Sequence, residues 1–204
     1  MVKEFLQFDT VRNNALKLAH QIYTDGFIPD VIYVSLRGGA YLGNVISEYF
    51  KIVHKGEHPV YYAAVVARSY TSVAQSEQVR IDGWTYSPEH LRVGDKVLLV
   101  DDIFDTGKTI NVLAQVILDK GIPRKDLKIA VHDYKYFTDK EEQFPIQPDY
   151  WCRKHEKTLS DESFWIHYMS HELLGLSPEE IEEYYNKQDH ALRTPMRLIA
   201  DNGQ

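Results

Sequence analysis

Lys96-Val97-Leu98-Leu99-Val100-Asp101-Asp102-Ile103-Phe104-Asp105-Thr106-Gly107-Lys108-Thr109-Ile110 decides the fold, because an apolar run empties into an acidic, glycine-containing turn and then into a helix. Val97 to Val100 are consecutive β-formers, a run that suits a strand covered on both faces and is too short for a helix. In open α/β sheets ligands bind at the carboxyl ends of the strands, where a starting helix offers backbone N–H groups and a positive dipole end to an anion. Thr106, Gly107, Lys108 and Thr109 supply such donors.

Gly107-Lys108-Thr109 after a strand suggests a triphosphate-binding loop, but that motif needs a glycine where Asp102 stands. A carboxylate there repels a polyphosphate. A plainer alternative makes Asp101, Asp102 and Asp105 solvated loop residues that cap a helix. Against it, three carboxylates crowded at one strand end repel one another, an arrangement expected where hydroxyls, a cation or a proton must be bound.

The remaining chain alternates strand and helix. Thr10 caps a predicted helix through Thr24, with Val11, Leu18 and Ile22 as its apolar stripe and Gly26 as its stop. Strands are expected over Val31–Ser35, Val60–Ala67, Lys96–Val100 and Leu127–Val131, and helices over Ala40–Phe50 and Thr109–Lys120. The fold class is α/β, with a mainly parallel sheet and helices on both faces. From residue 68 to 95 the apolar periodicity fades, which predicts a long mobile loop. Pro145–Trp151 and Ser163–Tyr168 read as short aromatic-rich strands separated by a charged loop, together a small hood over about 145–175. Ser177-Pro178-Glu179-Glu180 is a capped start for a helix to about Asn186, and the tail from His190 to Gln204 carries no clear signal.

The chain has 204 residues, enough for one α/β domain with a small appendage, and carries a net charge of −7. That balance argues against nucleic-acid and anionic-membrane partners. The beginning has no apolar stretch suited to a leader, so a soluble, cytoplasmic protein is expected. Cys152 is the sole cysteine, which excludes an intrachain disulfide. His167 and His171 stand four apart without an obvious third ligand, so no zinc site is expected.

Ser35-Leu36-Arg37-Gly38-Gly39 follows one strand and precedes a helix, giving a second anion site at the same sheet edge; a plain βα turn has the same composition. Asp101-Asp102-Ile103-Phe104-Asp105-Thr106-Gly107-Lys108-Thr109 resembles the phosphoribosyl-pyrophosphate (PRPP) motif of the type I phosphoribosyltransferases, and among these the hypoxanthine-guanine and xanthine-guanine enzymes. The resemblance implies that Asp101 and Asp102 bind the ribose hydroxyls. Asp105 to Thr109 would cradle the 5-phosphate, with Asp105 also handling the purine N7 proton as the catalytic group. Arg37, Gly38 and Gly39 would bind the departing pyrophosphate, with a cis peptide leading into Arg37. Ser69 and Tyr70, matching the Ser-Tyr pair of the family's mobile lid, would help hold it. Lys135 would donate to a purine 6-oxo group, Trp165 would stack on the base, and the backbone of Ile166 would read its edge. Mg²⁺ is implied as cofactor, held by Asp102 directly or through water.

Conversion of a 6-oxopurine and PRPP to a nucleoside 5-monophosphate and pyrophosphate is the expected reaction, by a homodimer or homotetramer. A PRPP-binding regulator without turnover, or an enzyme for another base, is the alternative. The hood departs from the family in placing His167-Tyr168-Met169-Ser170 before His171-Glu172, where a short acidic stretch is usual.

Overall fold

A computed structural model describes residues 2–54, 56, 59–70, 78–139, 144–161 and 164–202. Six strands form the central sheet: β2 (Val31–Leu36), β3 (Tyr61–Tyr70), β4 (Gln78–Trp84), β5 (Val97–Phe104), β6 (Leu127–Phe137) and β7 (Tyr150–Lys157). Their spatial order is β4-β3-β2-β5-β6-β7, parallel throughout except for the antiparallel β3–β4 pair.

The unbroken apolar run of β5 follows from its place in the middle of this sheet. Leu98 and Val100 pair with Ile32 and Val34 of β2 on one face, and Val97 and Leu99 with Val31 and Tyr33 on the other. Both faces are covered. Leu98 and Val100 pack on the helices α1 (Phe8–Thr24) and α2 (Ala40–Val53) through Leu18, Ile22, Ile46 and Phe50. Val97 and Leu99 pack on α3 (Lys108–Leu118) through Ile110, Leu113 and Ile117. Burying one such side chain stabilises the fold by about 1.5–3 kcal/mol, so alternate residues of one strand hold helices on opposite sides.

The strand order reverses between β2 and β5. The chain leaves β2 for β3 on one side and leaves β5 for β6 on the other, so the turns after β2 and after β5 open into one crevice.

Four sequence expectations are corrected, and the tail gains an assignment. Helix α1 starts at Phe8, not after Thr10; Gln7 is its cap residue, without a side-chain bond. Much of the span 68–95 is ordered structure: β4 pairs with β3 from Val65↔Trp84 to Tyr70↔Gln78, with a register shift at Val66/Ala67, and Pro88–His90 form a 3₁₀ turn. That irregular register removes the clean alternation by which a strand is read. The supposed charged loop after Trp151 is the second half of β7, the edge strand of the main sheet, whose outer face is polar because water covers it. Tyr150 and Trp151 therefore belong to the core sheet and not to the hood.

The hood is instead built on a second, two-stranded parallel sheet, β1 (Val2–Leu6) with β8 (Phe164–Tyr168), in the register Lys3↔Trp165 and Leu6↔Tyr168. Leu6, Val11, Ile166 and Tyr168 form its small apolar core. Finally, the tail is helical. After the capping box of Ser177 and Glu180, α4 (Pro178–Ile181) passes into a π turn over 182–186, and α5 (Arg193–Asn202) packs Met196 on Ile181 and Tyr185. Among the described residues no helix is long and apolar enough to cross a membrane.

Candidate active site

Two glycines let the crevice close. A Cβ on Gly38 would lie 2.3 Å from both carboxylate oxygens of Asp102. At Gly39 a Cβ would meet backbone: Val100 O at 2.8 Å, Asp101 Cα at 2.9 Å and Ser35 O at 2.9 Å. The turn after β2 thus rests directly on the acidic pair that ends the buried part of β5. The peptide Leu36–Arg37 is cis, as the family resemblance implied.

Asp101 and Asp102 have unlike surroundings. Asp101 is buried, accepts the amide N–H of Asp102 at 3.0 Å, and is pushed well above the usual carboxylate range by burial and then by the adjacent Asp102. Asp102 accepts the amide N–H of Ile103 through Oδ1 at 2.9 Å, and lines an open cavity of about 800 Å³ together with Arg37, Gly38, Trp165 and His171.

The turn after β5 is a second concavity of about 260 Å³, lined by residues 101–110. Gly107 caps α3 in the left-handed conformation, φ +86°, and a Cβ there would strike the ring of Phe104 at 2.3 Å. The amide N–H of Lys108 reaches Thr106 Oγ1 at 3.4 Å. Buried Asn111 fixes the helix start, donating to the carbonyls of Gly107 (2.9 Å) and Ile146 (2.8 Å) and accepting from the amide of Ile146 (2.9 Å). Helix N-terminal donors around a small concavity suit a tetrahedral anion.

Strand β6 continues to Phe137, so Lys135 lies within the strand and not beyond it. Its ammonium is buried, 3.1 Å from Asp105 Oδ1 and 3.5 Å from the carbonyl of Phe164. Lys135 therefore ties the catalytic candidate to the hood strand. Its ammonium also lies over the hood aromatic Phe164, whose ring centre is 5.1 Å away and which Lys157 covers at 4.0 Å. Trp165 points to the other side of β8: it is 46% exposed, lines the cavity of Asp102, and donates its indole N–H to Glu172 at 3.2 Å. Ile166 buries its side chain in the hood core, and its backbone lies in β8 opposite Glu4 of β1. The backbones of Ser69 and Tyr70 end β3, while their side chains lie outside the described residues.

Sequence reasoning missed three contributors. Phe164 carried no signal beyond its neighbour Trp165. His171 was weighed only as a metal ligand, yet its Nε2 stands 3.2 Å from Asp102 Oδ2. The third is Asp133, fully buried beneath the hood. Its Oδ2 accepts from His132 Nδ1 (2.6 Å) and Tyr168 OH (2.5 Å), and its Oδ1 from Arg153 Nε (2.7 Å) and His155 Nε2 (2.6 Å). Arg153 also pairs with Glu4 of β1 at 2.5 Å. Asn14 Nδ2, necessarily a donor, faces His132 Nε2 at 3.1 Å and so leaves the ring hydrogen on Nδ1, directed at Asp133. Burial alone would raise the Asp133 carboxyl, but the bonds from His132, His155 and Arg153 overcome it and hold the group far below the usual range. One carboxylate thus joins β1, β6, β7, β8 and α1.

Among the described residues no group of three His, Cys, Asp or Glu side chains is arranged to hold a metal ion. Asp102, a carboxylate lining the cavity, still fits Mg²⁺, which takes one or two carboxylates and completes its shell with water and substrate phosphate. Cys152 is no nucleophile, since burial pushes its thiol up to about 12.

The family described as phosphoribosyl transferase domain matches residues 1–156. Two bacterial relatives, each called bifunctional protein PyrR, are 26% identical. The one from Halalkalibacterium halodurans aligns over 74% of this chain and 82% of its own, and the one from Brevibacillus brevis over 69% and 75%. Among solved structures, a purine phosphoribosyltransferase from Pyrococcus horikoshii superposes with a TM-score of 0.63 at 25% identity, covering 87% of this chain and 99% of its own. The Helicobacter pylori xanthine-guanine-hypoxanthine phosphoribosyltransferase shares the fold, with a TM-score of 0.58 at 19% identity and coverage of 91% and 99%.

Proposed function

Because the chain belongs to the phosphoribosyl transferase domain family, we propose that it transfers the phosphoribosyl group of PRPP to a 6-oxopurine, releasing pyrophosphate. The observation that carries the base half is the buried Lys135 ammonium, held between Asp105 Oδ1 and the Phe164 carbonyl. An ammonium has three hydrogens and no acceptor. A 6-oxo group offers it a partner. A 6-amino group instead leaves a desolvated donor unmatched, a mismatch that discriminates strongly between substrates.

The other half follows from the strand ends. Asp102, with Asp101 beneath it, orients the ribose hydroxyls, and the donors of residues 106–109 anchor the 5-phosphate. Arg37 and the N–H groups of the Gly38-Gly39 turn receive the diphosphate. Mg²⁺ bound with the diphosphate would offset part of its negative charge. Asp105, oriented by Lys135, takes up the N7 proton as purine N9 attacks C1. Phe164 is the ring better placed to stack on a base whose oxo group meets Lys135, and Trp165 walls the diphosphate side. Positioning and fixed charge supply the catalysis.

A base panel with Mg²⁺ and PRPP, reading pyrophosphate release, tests this. Turnover is expected with hypoxanthine, guanine or xanthine and not with adenine. Release with a pyrimidine alone would overturn the purine assignment. PRPP binding without release for any base would favour a regulatory protein, a reading that the match to proteins called bifunctional keeps in view.

A further inference from the structure

We propose that His171 is a diphosphate-binding residue, which in the free protein occupies Asp102 and on PRPP binding hands that carboxylate to the ribose and turns its N–H to the diphosphate. The inference rests on the phosphoribosyl reading of the site. Its starting point is a conflict: Asp102 lines the cavity, and its Oδ2, the oxygen not taken by the Ile103 amide and so the one left to accept a ribose hydroxyl, already has His171 Nε2 at 3.2 Å. A carboxylate oxygen accepts only, so the contact is favourable with the hydrogen on Nε2. Any sugar hydroxyl seated on Oδ2 displaces that N–H or shares the oxygen with it.

The displaced group has a defined place to go. His171 lines the same cavity as Arg37 and Gly38, the turn assigned to the diphosphate. In PRPP the diphosphate is on C1 and the neighbouring hydroxyl on C2, so a ligand with that hydroxyl at Asp102 brings its phosphate oxygens beside the imidazole. A dianionic or more highly charged group next to Asp102 also needs a donor between the two negative charges. Arg37 stands on one wall; His171 supplies a donor on another.

The imidazole is preset for this. Ser170 Oγ is 3.1 Å from Nδ1, and the Tyr168 ring stacks on the imidazole at 5.3 Å and 20°. The turn that carries it is closed by the amides of His171 (3.1 Å) and Glu172 (2.9 Å), both donating to the Tyr168 carbonyl, and by Glu172 Oε2 accepting the Tyr168 amide at 3.0 Å. Tyr168 is in turn clamped to Asp133, with its phenol oxygen 3.0 Å from the Asp102 carbonyl. The backbone that carries the histidine is therefore fixed, so that only the imidazole has to turn when a ligand binds, which keeps the ordering cost small and favours affinity.

Calorimetric titration of wild type, His171→Ala and His171→Gln with Mg²⁺-pyrophosphate, Mg²⁺-PRPP and ribose 5-phosphate, all without base, separates the outcomes. Wild type should bind PRPP. His171→Ala should weaken pyrophosphate and PRPP about tenfold, as expected for loss of one charge-assisted bond. It should leave ribose 5-phosphate unchanged or bound more tightly, because Asp102 is released. His171→Gln, which keeps an N–H donor, should recover part of the pyrophosphate affinity. If both variants bind PRPP and pyrophosphate as well as wild type or better, His171 merely covers Asp102 and the proposal fails. A wild-type protein that binds none of the three ligands would instead sink the phosphoribosyl reading beneath it.

Discussion

Tyr168→Phe removes one oxygen from the hydrogen-bond network around Asp133. The phenol sits 2.5 Å from Asp133 Oδ2 and 3.0 Å from the Asp102 carbonyl, and its single hydrogen goes to the closer, charged acceptor. Burial and the nearby carboxylates of Asp133 and Asp102 push its ionisation well above the usual tyrosine range, so it serves as a donor throughout the working pH range. A hydrogen bond to a charged group contributes about 1.5–3 kcal/mol. His132, Arg153 and His155 remain on Asp133 in the variant, so the carboxylate is not orphaned and the ring packing is kept; a loss of about 2 kcal/mol is expected. For a chain of this size 1 kcal/mol shifts the melting temperature by roughly 2–4 °C, so the variant should melt roughly 4–8 °C below wild type. The assay is thermal unfolding followed by circular dichroism, with urea unfolding as a check. A shift under about 1 °C would show that Tyr168 adds nothing to the Asp133 network, and the account of how the hood is held would be wrong.

Gly38→Ala and Gly39→Ala should part company: the first crowds the mobile carboxylate of Asp102 and should raise KM for PRPP about tenfold or more with a near-normal melting temperature, whereas the second strikes backbone and should lower the yield of folded protein. Kinetics and melting curves measured on the same preparations distinguish them. The pH dependence of stability has a definite sign. Because the fold depresses the Asp133 carboxyl, its contribution is complete above the unfolded value of about 4 and is lost as pH falls below it, so Asp133→Asn should be less stable at pH 7 yet show a flatter decline toward pH 2–3 in urea titrations. Lys135→Met should cut kcat/KM for the oxopurine by about 100-fold, or ~2.7 kcal/mol of transition-state stabilisation, while PRPP binding holds; an unchanged kcat/KM would remove Lys135 from base recognition.

Of the two proposed halves of the site, the phosphate half was legible because its signals are local. A buried strand, a left-handed glycine and a helix start follow one another within residues 97–110, and each leaves a mark on the residue types. The base half was less so, for the same physical reason in each case: its contacts join segments far apart in the chain. Lys135 was found through resemblance, but its partner Phe164 is fixed by the register of β8, and β8 by a strand at the other end of the described chain. Val2–Leu6 is too short to show periodicity, and Arg153 to Lys157 read as a charged loop because an edge strand is polar on the side that water covers. Asp133 lay hidden inside an apolar strand, where no neighbour in sequence reveals four donors brought from elsewhere.

The pairing of β1 with β8 bears on how the protein is made. Val2 waits for Phe164, 162 residues later, so the hood sheet closes a far longer loop than any neighbouring pair within the central sheet. During synthesis the strands and helices that form the crevice proposed for PRPP are complete before the hood's second strand exists. The proposed base pocket is consequently the last part to assemble, since the Tyr168–Asp133 bond that ties the hood to the core sheet can form only once β8 is in place.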